Sequence, residues 1–358
     1  MKKIALVLLF TLLLGMLAGC MGTPVVYSAC TCPQESTPAP TEPSATEPAP
    51  TVPADGTAVK TGLAILANSA KSVAGTAEYD VTLVAVNVDD KGIITACKID
   101  SVGTKVSFDT AGAITSDLTA PILTKNELGA DYGMVAWGKA KAEWNEQAAA
   151  LANYAVGKTM EEVKNGAIDE TGYAPEGTDL ASSASIKLDG YVAGIEKAVQ
   201  NARHLGAQKG DELLLATVSA VDSSTSASAD AAGNAQLDLT ATAVTRKDGI
   251  ITSCAIDSVQ VKVAFDATGA ITSDIDAPVA TKNELGADYG MVAWGKAKAE
   301  WNEQAAAFAA YVTGKTAQDV AGIAVTDTTK PEDGTDLANS VTIKIGDFQT
   351  LIAKAMQG

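Results

Sequence analysis

The chain has 358 residues, 47% of them apolar, with 26 Lys and Arg against 43 Asp and Glu and a formal net charge of −17. That acidic balance argues against a nucleic-acid partner and against electrostatic docking on an anionic lipid surface. The single histidine, His204, leaves no means of building a Ser-His-Asp triad, a Cys-His pair or a His-rich metal site twice over.

The first residues read as an export signal covering 1–20. Lys2 and Lys3 precede the apolar run Ile4 to Leu17, which is short for a membrane span and suits the hydrophobic part of a signal peptide. The run ends in Leu17-Ala18-Gly19-Cys20, which resembles the lipobox of bacterial lipoproteins. The resemblance implies a diacylglyceryl group on the Cys20 thiol, an extracytoplasmic location and a membrane anchor in which each buried methylene contributes about 0.8 kcal/mol. Residues 21–57 are rich in Pro, Thr, Ser, Ala and Glu, lack any hydrophobic period and are expected to form a disordered tether. At about 3.1 Å per residue it would reach on the order of 100 Å. Cys30 and Cys32 lie in it as Cys-Thr-Cys, too close for an easy mutual disulfide, so an interchain bond or free thiols are expected.

The remainder repeats itself. Thr124 to Ala150 recurs without a change as Thr281 to Ala307, which places two tandem domains at 58–205 and 211–358. Each is far longer than a solenoid unit and is expected to own a core. The identity by itself reports duplication. Within each copy a strand, Tyr79 to Val86 or Leu237 to Val244, leads through a turn at Lys91-Gly92 or Asp248-Gly249 into the strand carrying Cys97 or Cys254. Alternation there puts Ile93, Cys97 and Ile99 on one face with a buried thiol. A third strand, Lys105 to Asp109, meets a short one, Ala113 to Ser116, and completes an antiparallel meander. After Pro121 one helix is expected to carry Val135, Trp137, Trp144, Ala148 and Leu151, with the two tryptophans seven apart on one face. A short helix, Met160 to Lys164, a strand, Ser185 to Leu188, and a helix, Tyr191 to Ala202, follow. The fold class is α+β: two tandem copies of an antiparallel sheet with helices.

Two segments are candidates for chemistry. The first is the loop Thr124 to Tyr132, with its twin Thr281 to Tyr289. Backbone amides at its helix start would hold an anion, with Lys125 or Lys282 adding charge; as an alternative, the loop only caps its helix. The second comprises Asp179-Leu180-Ala181-Ser182-Ser183-Ala184-Ser185 and Asp336-Leu337-Ala338-Asn339-Ser340-Val341-Thr342. With the Lys91-Gly92 and Asp248-Gly249 turns and the closing amphipathic helix, these resemble the FMN-binding domain family of flavin subunits in Rnf-type and sodium-pumping redox complexes and of Gram-positive redox lipoproteins. That family carries a motif like Asp-x-x-Ser-Gly-Ala-Thr whose threonine takes FMN through a phosphoester bond. The resemblance implies Ser185 and Thr342 as acceptors, Ser182 and Asn339 in the motif's serine place, and Asp179 and Asp336 as its acid. Ser183 and Ser340 replace the motif glycine, which matters if the backbone there takes positive φ or approaches the phosphate closely. The implied function is an FMN-carrying electron-transfer lipoprotein with redox partners, FMN being held covalently or noncovalently and Trp137, Tyr132 and Trp144 available to stack on its ring. The alternative is a non-catalytic envelope lipoprotein whose repeats bind a protein or small ligand. Either way the chain is an electron carrier or binding protein rather than a turnover enzyme.

Overall fold

The computed structural model describes residues 57–357. The signal, Cys20, Cys30, Cys32 and all but the last residue of the tether lie outside them. Each repeat is a three-stranded antiparallel meander followed by helices, so the protein is α+β. In the first repeat β1 (Lys60–Asn68), β2 (Thr76–Val88) and β3 (Ile94–Ser107) precede α1 (Lys125–Leu128), α2 (Trp144–Ala155), α3 (Met160–Ala167), α4 (Asp179–Ser183) and α5 (Asp189–Asn201). In the second, β4 (Glu212–Ala220), β5 (Gly233–Lys247) and β6 (Ile250–Phe265) precede α6 (Lys282–Leu285), α7 (Trp301–Val312), α8 (Ala317–Ala321), α9 (Asp336–Ser340) and α10 (Gly346–Gln357).

The two sheets pack face to face, β1 over β6 and β3 over β4, and helices cover their outer faces. Three cores result. One lies between the first sheet and α2, α3 and α5, with Leu151, Leu188 and Ile195 at its centre. Another lies between the second sheet and α7 and α10, around Phe308, Leu351 and Ile352. The third is common to both repeats and joins Tyr79, Leu83 and Phe108 to Leu237, Leu239 and Phe265.

The common core explains why β1 and β4 escape detection by alternation. Lys60–Asn68 is buried on both faces over Thr61 to Ile65, so its sequence is a continuous run rather than an in-out pattern. The contacts between repeats are reciprocal. Phe108 stacks on its own counterpart Phe265 with ring centroids 3.8 Å apart. Glu127 of the first repeat pairs with Lys354 at 2.7 Å, and the matching Glu284 of the second pairs with Lys197 at 2.8 Å. A residue meeting its own counterpart, flanked by mutually exchanged pairs, marks an approximate two-fold relation.

Several expected elements differ. The strand carrying Cys97 and the one expected at Lys105 to Asp109 are a single strand, β3. Between Asn87 and Val88 the register shifts, because Ala96 pairs with Asn87 and Ile94 with Val88, leaving Thr95 as an extra residue. This bulge turns Ile94, not Ile93, onto the face of Cys97 and Ile99. Ala113 to Ser116 contributes only an isolated bridge, Phe108 to Ile114. Ser185 to Leu188 is not a strand. Trp137 and Trp144 do not share a helix: Trp144 opens α2 and is buried, whereas Trp137 stands on the preceding loop.

Candidate functional site

The loop at Thr124 is built by its own side chains. Thr124 and Glu127 form a reciprocal capping box at α1, as Thr281 and Glu284 do at α6. The buried Asp100 carboxylate accepts from the backbone N–H of Ser101 at 2.8 Å and of Asn126 at 3.1 Å. The Asn126 amide donates to the Ile99 carbonyl at 2.9 Å. Burial pushes the Asp100 carboxyl above its ordinary range, opposed by the Thr124 hydroxyl and these two N–H groups. Asp257, Ser258 and Asn283 repeat the arrangement. One amide that the sequence offers to an external anion is therefore occupied by the protein's own carboxylate. The Lys125 ammonium lies 5.1 Å from the ring centroids of both Tyr132 and Trp144, and Lys282 lies 5.0 Å from those of Tyr289 and Trp301. Each lysine is thus held by two aromatic faces.

Asp179 and Asp336 open the single turns α4 and α9, capped by Thr178 and Thr335. Ser182 donates to the Thr178 carbonyl and Ser183 to that of Asp179, while Asn339 lies exposed on α9. Ser183 and Ser340 lie within these helical turns and neither has positive φ, so neither place requires glycine. Beyond the turn, Ser185 N–H, Ser185 Oγ and Ile186 N–H all donate to Gln147 Oε1, at 2.7, 3.2 and 3.1 Å. In the second repeat Thr342 N–H, Thr342 Oγ1 and Ile343 N–H donate to Gln304 Oε1 at 2.7, 3.1 and 3.2 Å. Both glutamines are 1% exposed and donate in turn to the carbonyls of Ala142 and Ala299.

A flavin phosphate at Ser185 or Thr342 would have to displace these bonds, since the hydroxyl and its two neighbouring N–H groups converge on one amide oxygen. Trp144 is committed as well: its indole N–H donates to the Tyr191 hydroxyl at 3.0 Å and its ring meets Tyr191 edge-on. The geometry makes Gln147 and Gln304 the anchors of these segments. The only trace of them in the sequence is their place on the buried face of a helix inside the unchanged block.

That block also carries the most exposed large apolar side chains of the described residues, Trp137 and Trp294, each 82% exposed, with Val135 and Val292 beside them. The loop that presents them is well bonded. Glu143 takes the N–H groups of Met134 and Val135 on its two oxygens at 2.9 and 3.0 Å, and Glu300 does the same for Met291 and Val292. Trp137 N–H and Ala140 N–H close the turn on Gly133 and Met134. Gly133 has φ +80, and its missing side chain leaves the place where the Trp137 ring rests, since a Cβ would lie 2.7 Å from the ring. Lys139 and Lys141 follow directly.

A cleft of about 650 Å³ lies where the second repeat meets β1 and the segment joining the repeats. Cys254 lines it, but burial pushes the thiol up to about 12, too high for a nucleophile at neutral pH. Among the described residues no group of three His, Cys, Asp or Glu is placed to hold a metal, and no helix is long and apolar enough to cross a membrane. No protein-family model, curated protein or solved structure matches this chain.

Proposed function

We propose that the chain is a lipid-anchored, extracytoplasmic envelope protein that binds a partner macromolecule at two identical points, the loops carrying Trp137 and Trp294. The observation that carries this is a bulky indole left almost wholly in solvent by a loop that a buried-face helix and a carboxylate clamp hold in place. Singly exposed apolar residues are ordinary, but here the indole stands beside exposed Val135 on a loop fixed by hydrogen bonds, and tryptophan is among the residue types enriched at binding hot spots.

Comparison of the two copies supports the same surface. The copies differ at Lys98 against Ala255, Tyr173 against Lys330 and Gly194 against Leu351, yet Thr124 to Ala150 differs nowhere from its twin. Two equal sites on one rigid body gain avidity of about 10² to 10⁴ over one if the partner presents repeated groups at matching spacing. The lipid on Cys20 and the tether at 21–57 supply the anchor and reach that such a role needs.

The test uses the full chain carrying Cys20→Ser, which is expected to leave the membrane fraction and so removes the anchor from the measurement. Its co-sedimentation with isolated cell envelopes should fall several-fold in Trp137→Ala and disappear in Trp137→Ala/Trp294→Ala, with circular dichroism unchanged. Undiminished sedimentation of the double variant would end this reading. The electron-transfer reading rests on the hydroxyls of Ser185 and Thr342 and is separated by one spectrum. Flavin absorption in the purified protein that Thr342→Ala reduces would restore it.

A further inference from the structure

We propose that the cleft between the repeats is a binding site for an uncharged, mostly apolar small molecule that offers hydrogen-bond donors. Its walls come from β6, α7, β1 and the joining segment Arg203 to Gln208, so neither repeat forms it alone. At about 650 Å³ it falls within the size range of small-molecule sites, and such sites favour junctions between domains.

Two residues of its lining, Asn302 and Gln208, each carry a buried side-chain oxygen without a partner, as does Asn145, the counterpart of Asn302 in the first repeat. The Gln208 amide is fixed by its N–H donation to the Gly206 carbonyl, which leaves the oxygen as the unpaired end. A buried acceptor without a donor is costly, and a ligand N–H or O–H would recover that cost. No carboxylate lines the cleft. Its one cationic side chain, Arg203, donates to the carbonyls of Gln200 and Ala202, and the His204 ring meets Asp90. The rest is small or apolar, notably Ala255, Ala306, Ala309 and Ala310. A cationic ligand would lose its hydration without meeting a carboxylate, and an anionic one would face the two acceptor oxygens.

The two repeats differ at the cleft. A separate cleft of about 340 Å³, beside Asn126, has Lys98 and Lys354 among its walls. Ala255 stands where the first repeat has Lys98. The alanine leaves room on that side of the larger cleft, and the joining segment roofs it. Gly206, at φ +114, allows that roof: a side chain there would collide with the Thr252 carbonyl.

The probes are benzamide, benzene and benzoate at matched millimolar concentration with the full chain, followed by side-chain amide NMR of Asn and Gln. Benzamide is expected to shift the Asn302 and Gln208 amide resonances, with benzoate at least ten-fold weaker and benzene perturbing neither amide. Ala255→Lys, which installs the residue tolerated in the first repeat, should abolish the shifts. Asn302→Leu should abolish the Gln208 shift while raising the melting temperature, because it removes an unpaired buried oxygen. Equal response to benzoate and benzamide, absence of shifts at those two amides, or binding retained in a folded Ala255→Lys chain would each overturn the proposal.

Discussion

At the scale of single residues, the side chains that decide the architecture are buried polar groups rather than the exposed hydroxyls and lysines most visible in the sequence. Gln304 holds three donors on one oxygen, so Gln304→Ala leaves two backbone N–H groups and a hydroxyl to find water or go unpaired. We expect about 2–4 kcal/mol of lost stability by urea titration, well above the effect of Thr342→Ala, which removes only one of the three donors. Asp257 gives a pH signature. Its carboxyl is raised by burial above its ordinary 3.8, so the folded state binds that proton more tightly than the unfolded chain. The contribution is therefore fully present below 3.8 and is lost as pH rises through the elevated value. Asp257→Asn keeps an acceptor for the N–H groups of Ser258 and Asn283 and carries no charge. The stability difference between variant and wild type should move in favour of the variant as pH rises through that window, and a difference flat with pH would show that Asp257 ionises without penalty.

At the scale of elements, the hairpins β2–β3 and β5–β6, the burial of Cys97 and Cys254 and the closing helices are legible in the sequence, because turn residues and the 3.6-residue period mark them directly. What is not legible has particular causes. The bulge at Thr95 breaks the two-residue period, so Ile93 is taken for Ile94. Burial on both faces erases the alternation of β1 and β4. Trp137 and Trp144 sit at helical spacing, but the positive φ of Lys139 breaks the helix between them. The candidate residues Ser185 and Thr342 are correctly paired between repeats, yet their partner lies 38 positions away in sequence and no local pattern announces it. Helix-to-sheet packing shows a compensation that only the structure reveals. Gly194 of α5 lies so close to β2 that an added Cβ would stand 2.7 Å from Val84 Cγ2 and 3.2 Å from Leu66 Cδ1. Its counterpart Leu351 is fully buried. Gly194→Ala should destabilise the first repeat by about 1–3 kcal/mol in spite of alanine's better helix propensity; a gain in stability would mean that α5 can move outward freely.

At the scale of the whole molecule, the common core binds the fate of one repeat to the other. Tyr79, Leu83, Leu237 and Leu239 are fully or almost fully buried at the junction of the two sheets, so a repeat unfolding alone would expose the inner face of its neighbour. Calorimetry should therefore show one cooperative transition rather than two. Phe108→Ala removes half of the stacked pair and is expected to cost about 3–5 kcal/mol, lowering that single transition as a unit. Two separated melting events in this variant, one of them at the wild-type temperature, would show that the halves are energetically independent.

The meeting of Phe108 with Phe265 has one more consequence. In an assembly of two identical chains each substitution is copied on both sides of the axis, so related cavities change in step. Joining the halves through Arg203 to Gln208 lifts that constraint: a lysine at 98 and an alanine at 255 coexist in one molecule. Within one chain, the two sides of a two-fold body are free to take up different tasks.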